Sequence, residues 1–193
     1  MIELTNMMKQ KFSFLLISAL ISSSSFSQAT SQVTDPEKKY KDAKELFVKE
    51  QYALAYPLLK DLLQQYPDNS ISNHTYINDD INDYYTVCEL KLEQPIAAQE
   101  ARHYVDVVAN EPRRQLMSYH LAKYYFTKDD FSNAIDYYEK AGLDNLSNEE
   151  IANTKFEKAY CYFNLKQFAE AKPLFDEVHQ LPQNKYYIPA NYY

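Results

Sequence analysis

Apolar side chains recur along this chain at helical spacing, and the same spacing is written more than once. Residues Ala43 to Leu63 read AKELFVKEQYALAYPLLKDLL, and residues Ala159 to His179 read AYCYFNLKQFAEAKPLFDEVH. Superposed, they align Ala43 with Ala159, Phe47 with Phe163, Tyr52 with Phe168, Ala55 with Ala171, Pro57 with Pro173 and Leu58 with Leu174. Leu121, Ala122, Tyr125, Phe131, Ala134, Tyr138 and Ala141 form a third copy between them. Self-similarity of this kind is the mark of a stacked repeat architecture.

Each copy reads as two helices. A small residue (Ala43, Ala122 or Ala159) in the first lets the second approach closely. An aromatic (Tyr52, Phe131 or Phe168) opens the second helix. Ala55, Ala134 or Ala171 follows, then Leu59, Tyr138 or Phe175, then Leu62, Ala141 or Val178. These are i, i+3, i+7 and i+10 steps, one stripe of an amphipathic helix. A helix pair with such a stripe cannot bury it alone, so neighbours must stack.

A further copy is degenerate. Ile81 to Leu92 is expected as its first helix and Pro95 to Ala109 as its second. Tyr84, Val87 and Cys88 pack inward in one register, and a two-residue shift serves nearly as well. The polar turn from Pro67 to His74 reads as an insertion. The final Tyr186 to Tyr193 starts another first helix, which predicts that this chain is the front of a longer repeat protein.

Helix punctuation agrees with this plan. Asp35-Pro36 supplies a cap and an N1 proline. Ser147-Asn148-Glu149-Glu150 spells a capping box. Asp130 caps the helix that carries Ala134, and Gly142 stands where a C′ glycine belongs. The carboxylate pairs Asp79-Asp80, Asp129-Asp130 and Glu149-Glu150 are expected at helix starts, where the dipole favours them. Of the adjacent tyrosines (84–85, 124–125, 137–138), one ring of each pair is expected in the core and one outside.

The pattern resembles the tetratricopeptide repeat, a unit of roughly 34 residues of paired helices. The usual tryptophan and glycine are missing, and alanine stands for the glycine. The resemblance implies an all-α, TPR-like α-solenoid of antiparallel helix pairs wound into a right-handed superhelix. Its repeats fall near 36–69, 79–112, 115–148 and 150–184, with a fifth begun at 185–193. It also implies a ligand in the concave groove lined by first helices. Register then assigns Tyr40, Lys44 and Phe47 to the groove, with Tyr85 and Glu89, then Tyr119, Lys123 and Phe126, then Phe156, Tyr160 and Phe163. Such an aromatic groove suits a protein or peptide partner. The Lys/Asn/Arg constellation that grips C-terminal carboxylates is not reproduced, since Tyr40, Tyr119 and Phe156 stand where it needs a lysine.

Composition narrows the alternatives. One glycine and 19 tyrosines among 193 residues leave little for tight sheet turns or phosphate-cradling loops. A formal charge of -7 and the lack of a basic cluster argue against nucleic acid as a partner. His74, His103, His120 and His179 are scattered, with no metal-binding spacing, and no nucleophile elbow accompanies the serines. Neither catalysis, cofactor nor metal is expected. Cys88 and Cys161 fall in non-adjacent repeats and read as two small buried hydrophobes.

The N-terminus carries an address. Lys9 and Lys11 precede an apolar run from Phe12 to Ile21, followed by Ser25-x-Ser27. This describes a secretory signal peptide over residues 1–27, cut after Ser27, with Met7 or Met8 as an alternative start. The run is short for a bilayer span of about 20 residues, so no membrane insertion of the mature chain is expected. No cysteine near the cut offers a lipoprotein anchor. The serine-rich tail with glutamine after the cut resembles signals of Bacteroidetes-type Gram-negative bacteria. The expectation is an exported scaffold or adaptor, in the periplasm or outside the cell. Two rival readings are the docking arm of a longer enzyme and a module that self-associates through an uncapped C-terminal end.

Overall fold

The computed structural model describes residues 35–66, 75–181 and 185–192. The expected signal peptide and the turn from Pro67 to His74 lie outside the described residues. Among those described, eight α-helices form four consecutive pairs. The first pair is α1 (Pro36–Val48) and α2 (Tyr52–Gln65). The second is α3 (Thr75–Lys91) and α4 (Ala97–Val107), and the third α5 (Glu111–Thr127) and α6 (Phe131–Ala141). The fourth is α7 (Asn148–Asn164) and α8 (Phe168–Gln180), followed by a short 3-10 turn at Pro189–Asn191. The fold is an all-α solenoid of the tetratricopeptide type.

Local chemistry sets the helix starts. The Asp35 side chain accepts from the Glu37 amide, and Asp130 accepts from Asn133. Ser147 and Glu150 close a reciprocal capping box. Asn110 does the same work for α5 by accepting from the Arg113 amide. Each such cap stabilises its helix by about 1 kcal/mol. Gly142 ends α6 at φ 62°. A Cβ there meets only Gln115 Nε2, at 3.8 Å, so backbone conformation rather than space calls for the glycine.

The turn inside each pair is built four times in one way. Glu50, Glu93, Asp129 and Lys166 all have φ between 52° and 62°. The following amide reaches back into the helix each time: Gln51 to the Leu46 carbonyl, Gln94 to Glu89, Asp130 to Tyr125 and Gln167 to Tyr162. This is the Schellman closure, made without glycine at a cost of about 1 kcal/mol per site.

These turns settle the register of the second pair. Counting back from Glu93 as from Glu50, Asp129 and Lys166 puts Asp83, Val87 and Leu90 level with Tyr40, Lys44 and Phe47. The expected register, with Tyr85 and Glu89 at those positions, is two residues off. Buried Thr86 takes the place of Ala43, Ala122 and Ala159, which removed the small-residue signal. Helix α3 also starts earlier than the expected Ile81, so Asp79 and Asp80 lie inside it rather than at its start.

Packing follows the stripe. Ala43, Ala122, Ala159, Ala55, Ala134 and Ala171 are all buried at helix crossings. Leu59, Leu62 and Ile81 are fully enclosed, each stabilising the fold by about 2 kcal/mol. Tyrosines do the rest, burying a ring while placing a hydroxyl on a polar partner. Tyr125 of α5 stacks on Tyr137 of α6 at 5.6 Å and accepts from Arg102 of α4 at 2.7 Å. Tyr137 and Tyr138 are both buried, contrary to the one-in, one-out expectation, because Tyr138 donates its hydroxyl to buried Glu157. Cys88 and Cys161 are buried and unbridged; burial pushes each thiol up to about 12.

Candidate functional site

Polar bridges join the first helices of successive pairs. At the first junction the Tyr40 hydroxyl of α1 donates to Asp80 Oδ2 of α3 at 2.8 Å, and Lys44 Nζ lies 3.5 Å from the same carboxylate. Arg113 of α5 reaches Asp80 at 2.7 Å and also pairs with Asp83, which accepts from Tyr104 of α4. One guanidinium thereby links three pairs. Burial alone raises Asp80, but Arg113 and Tyr40 outweigh it and hold the carboxyl below its ordinary value. For Asp83 burial wins over Tyr104 and Arg113, and its carboxyl is raised. At the last junction Asn153 of α7 faces Tyr119 of α5, in the register of Asp80 on Tyr40. Lys123 of α5 sits 2.9 Å from Glu157 of α7.

Between α1, α3 and α5 lies a cleft of about 440 Å³. Phe47, Tyr84, Val87, Leu116 and Met117 give it apolar walls, and Asp80, Asp83, Arg113 and His120 edge it. Phe47 and Tyr84 meet at 4.4 Å. Leu116 is 39% exposed. The Nδ1 atom of His120 is buried with no hydrogen-bond partner. Burial, with Lys91 and Lys123 nearby, drives that imidazole down to about 3, so it is neutral. Shape and apolar walls suit side chains of a partner, and the mixed-charge edge suits its backbone and polar groups.

A second cavity, about 710 Å³, opens between α3 and α4, walled by Asp83, Thr86, Glu100, His103, Tyr104 and Val107 among others. Among the described residues, no group of three or more His, Cys, Asp or Glu could hold a metal ion. No described helix is long and apolar enough to cross a membrane.

The structure sorts the groove residues expected from sequence. Phe47 lines the cleft, and Lys44 stands over Tyr40 and Tyr84 at its edge. Phe126 and Tyr160 meet edge-on at 5.8 Å and stay half-buried, as does Phe163, which packs on Phe168 at 5.4 Å. Tyr40, Glu89, Tyr119 and Phe156 are corrected to packing positions. Each is at most 9% exposed, so none offers a partner an accessible face. Phe156 lies under the Tyr186 ring at 4.2 Å. Tyr85 is turned onto Tyr56 of α2, stacked at 5.2 Å. Lys123 is engaged by Glu157. Tyr84, Leu116, Arg113 and His120 were missed. Placing Tyr84 needed the correct register of α3, and Leu116 carried no signal beyond an apolar residue near a helix start.

Comparison with known proteins agrees with the paired-helix fold. Residues 117–141 and 152–184 match the family model described as tetratricopeptide repeat. They span most of the third and fourth pairs, and repeats of this family generally mediate protein–protein interaction. Searches of curated proteins and of solved structures return no match.

Proposed function

We propose that this chain is an exported scaffold or adaptor of the cell envelope that holds a protein or peptide partner against its first helices. The single observation that supports the groove is the cleft between α1, α3 and α5, whose apolar walls include Tyr84 and exposed Leu116. A tyrosine ring and an arginine at the edge of an apolar cleft are residue types enriched where binding energy concentrates at protein interfaces. Export rests on Lys9, Lys11, the Phe12–Ile21 run and Ser25-x-Ser27.

Immobilised wild-type protein is compared with Leu116→Asp, Tyr84→Ala and, as a control on α2, exposed Leu54→Asp. The groove reading expects the first two to lose partners that Leu54→Asp keeps. Identical partner lists for all four contradict it. N-terminal sequencing of the mature protein checks export, with a start at Gln28 expected.

A further inference from the structure

Glu89 is an anomaly that neither the repeat pattern nor the groove uses. It occupies the position on α3 that Tyr125 holds on α5 and Tyr162 on α7, counted from the turns at Glu93, Asp129 and Lys166. Those tyrosines each put a hydroxyl on the second helix of the preceding pair: Tyr125 on Arg102 at 2.7 Å, Tyr162 on Glu139 at 3.1 Å. At the junction of the first two pairs a carboxyl stands instead, and it is 4% exposed.

Among the described residues no counter-charge faces it. From α2, the Tyr56 hydroxyl lies 3.4 Å from Glu89 Oε1 and equally 3.4 Å from the Tyr85 hydroxyl, and it has one proton to give. From its own helix Tyr85 and the Cys88 thiol face it. From α4 the facing group is Glu100, another carboxyl, close enough for a hydrogen bond. The lysines and arginine of these helices are turned elsewhere: Lys60 over Tyr56, Lys91 over Tyr52, and Arg102 on Tyr125. Glu89 Oε2 is buried with no donor to accept from. Two carboxylates in contact, both acceptors, repel in a site of low dielectric; one proton between them turns the same contact into a hydrogen bond.

We propose that the junction of the first and second pairs is a pH-operated joint, closed while one proton is held between Glu89 and Glu100 and loosened when that proton leaves. Burial first, and then Glu100, pushes the Glu89 carboxyl up to about 7. The folded value lies above the unfolded one, so the closed joint is fully stabilised at acid pH. That stabilisation is lost as pH rises through about 7. The consequence reaches the cleft, because Phe47 belongs to the first pair and Tyr84 to the second. Loosening the joint therefore changes the cleft whatever its occupant, and the inference stands without the groove reading.

The test is amide hydrogen exchange on α2 and α3 at pH 6 and pH 8, corrected for intrinsic exchange, in the wild type, Glu89→Gln and Glu100→Gln. The opening equilibrium of the wild type is expected to rise about tenfold between those pH values. Glu89→Gln should abolish that rise. Glu100→Gln, which keeps the buried carboxyl but removes its like-charged neighbour, should move the transition to lower pH. A tenfold rise that persists in Glu89→Gln overturns the joint. A transition left in place by Glu100→Gln overturns the shared proton, and this arm still reads if Glu89→Gln fails to fold.

Discussion

Lys123 Nζ lies 2.9 Å from Glu157 Oε1, and this pair ties α5 to α7 across the last junction. Glu157 is buried and also accepts from the hydroxyls of Tyr138 and Tyr186, the latter at 3.4 Å. Three donors from three parts of the chain converge on one carboxylate. The lysine is thus part of the stacking, where sequence had placed it on the groove surface.

Removing Lys123 leaves a buried carboxylate short of the cationic donor it has among the described residues. Lys123→Ala is expected to lower unfolding stability by about 2 kcal/mol. Lys123→Ala combined with Glu157→Gln should recover part of that loss. Urea denaturation of the two variants checks it. A single variant as stable as the wild type contradicts this role.

The four glycine-free turns offer the opposite sign. Lys166 holds φ 62° with an exposed side chain. Lys166→Gly should stabilise the fold by about 1 kcal/mol, since glycine adopts this conformation without the Cβ clash. A lowered thermal midpoint counts against the turn geometry.

Ala134 is wholly enclosed where α6 crosses its neighbours. Ala134→Asp places an unpaired charge there and should cost about 4 kcal/mol. The nearby exposed substitution Ser132→Asp should change stability by less than about 0.5 kcal/mol. Thermal unfolding that fails to separate the two removes Ala134 from the contact.

His120 predicts acid sensitivity. Burial, then Lys91 and Lys123, lowers its folded value to about 3, below that of the unfolded chain. The unfolded state therefore binds the proton first, and stability present above about pH 6.5 is lost as pH falls towards 3. Glu89 acts in the opposite direction over part of this range, so the comparison must be with His120→Gln. Between pH 7 and 4.5 the wild type should lose about 2 to 3 kcal/mol more than that variant. Equal losses contradict a buried neutral imidazole.

The paired-helix plan was legible because alanine at crossings is a strong steric signal: Ala43, Ala122, Ala159, Ala55, Ala134 and Ala171 can be read without coordinates. The second pair was not. Thr86 replaces the alanine, and the residues between Glu93 and Ala97 lengthen the turn, so both markers that set the register of the other copies were missing. Which first-helix side chains stay accessible was half legible for a related reason. Periodicity gives the face of a helix but not what the neighbouring helix brings to it. Tyr40 and Tyr119 point at Asp80 and Asn153, and their burial depends on those partners from the next pair. Caps such as Asp35 and Ser147 involve only near neighbours, and they were read correctly.

The central claim is that partners are held against the first helices, and site-specific photocrosslinking tests it most directly. A photoreactive phenylalanine analogue is placed at Leu116 in the cleft or at Leu54 on α2, both exposed in the free protein. The account predicts a discrete crosslinked partner from position 116 and none from position 54. The same partner captured equally from both positions, or from position 54 alone, contradicts it.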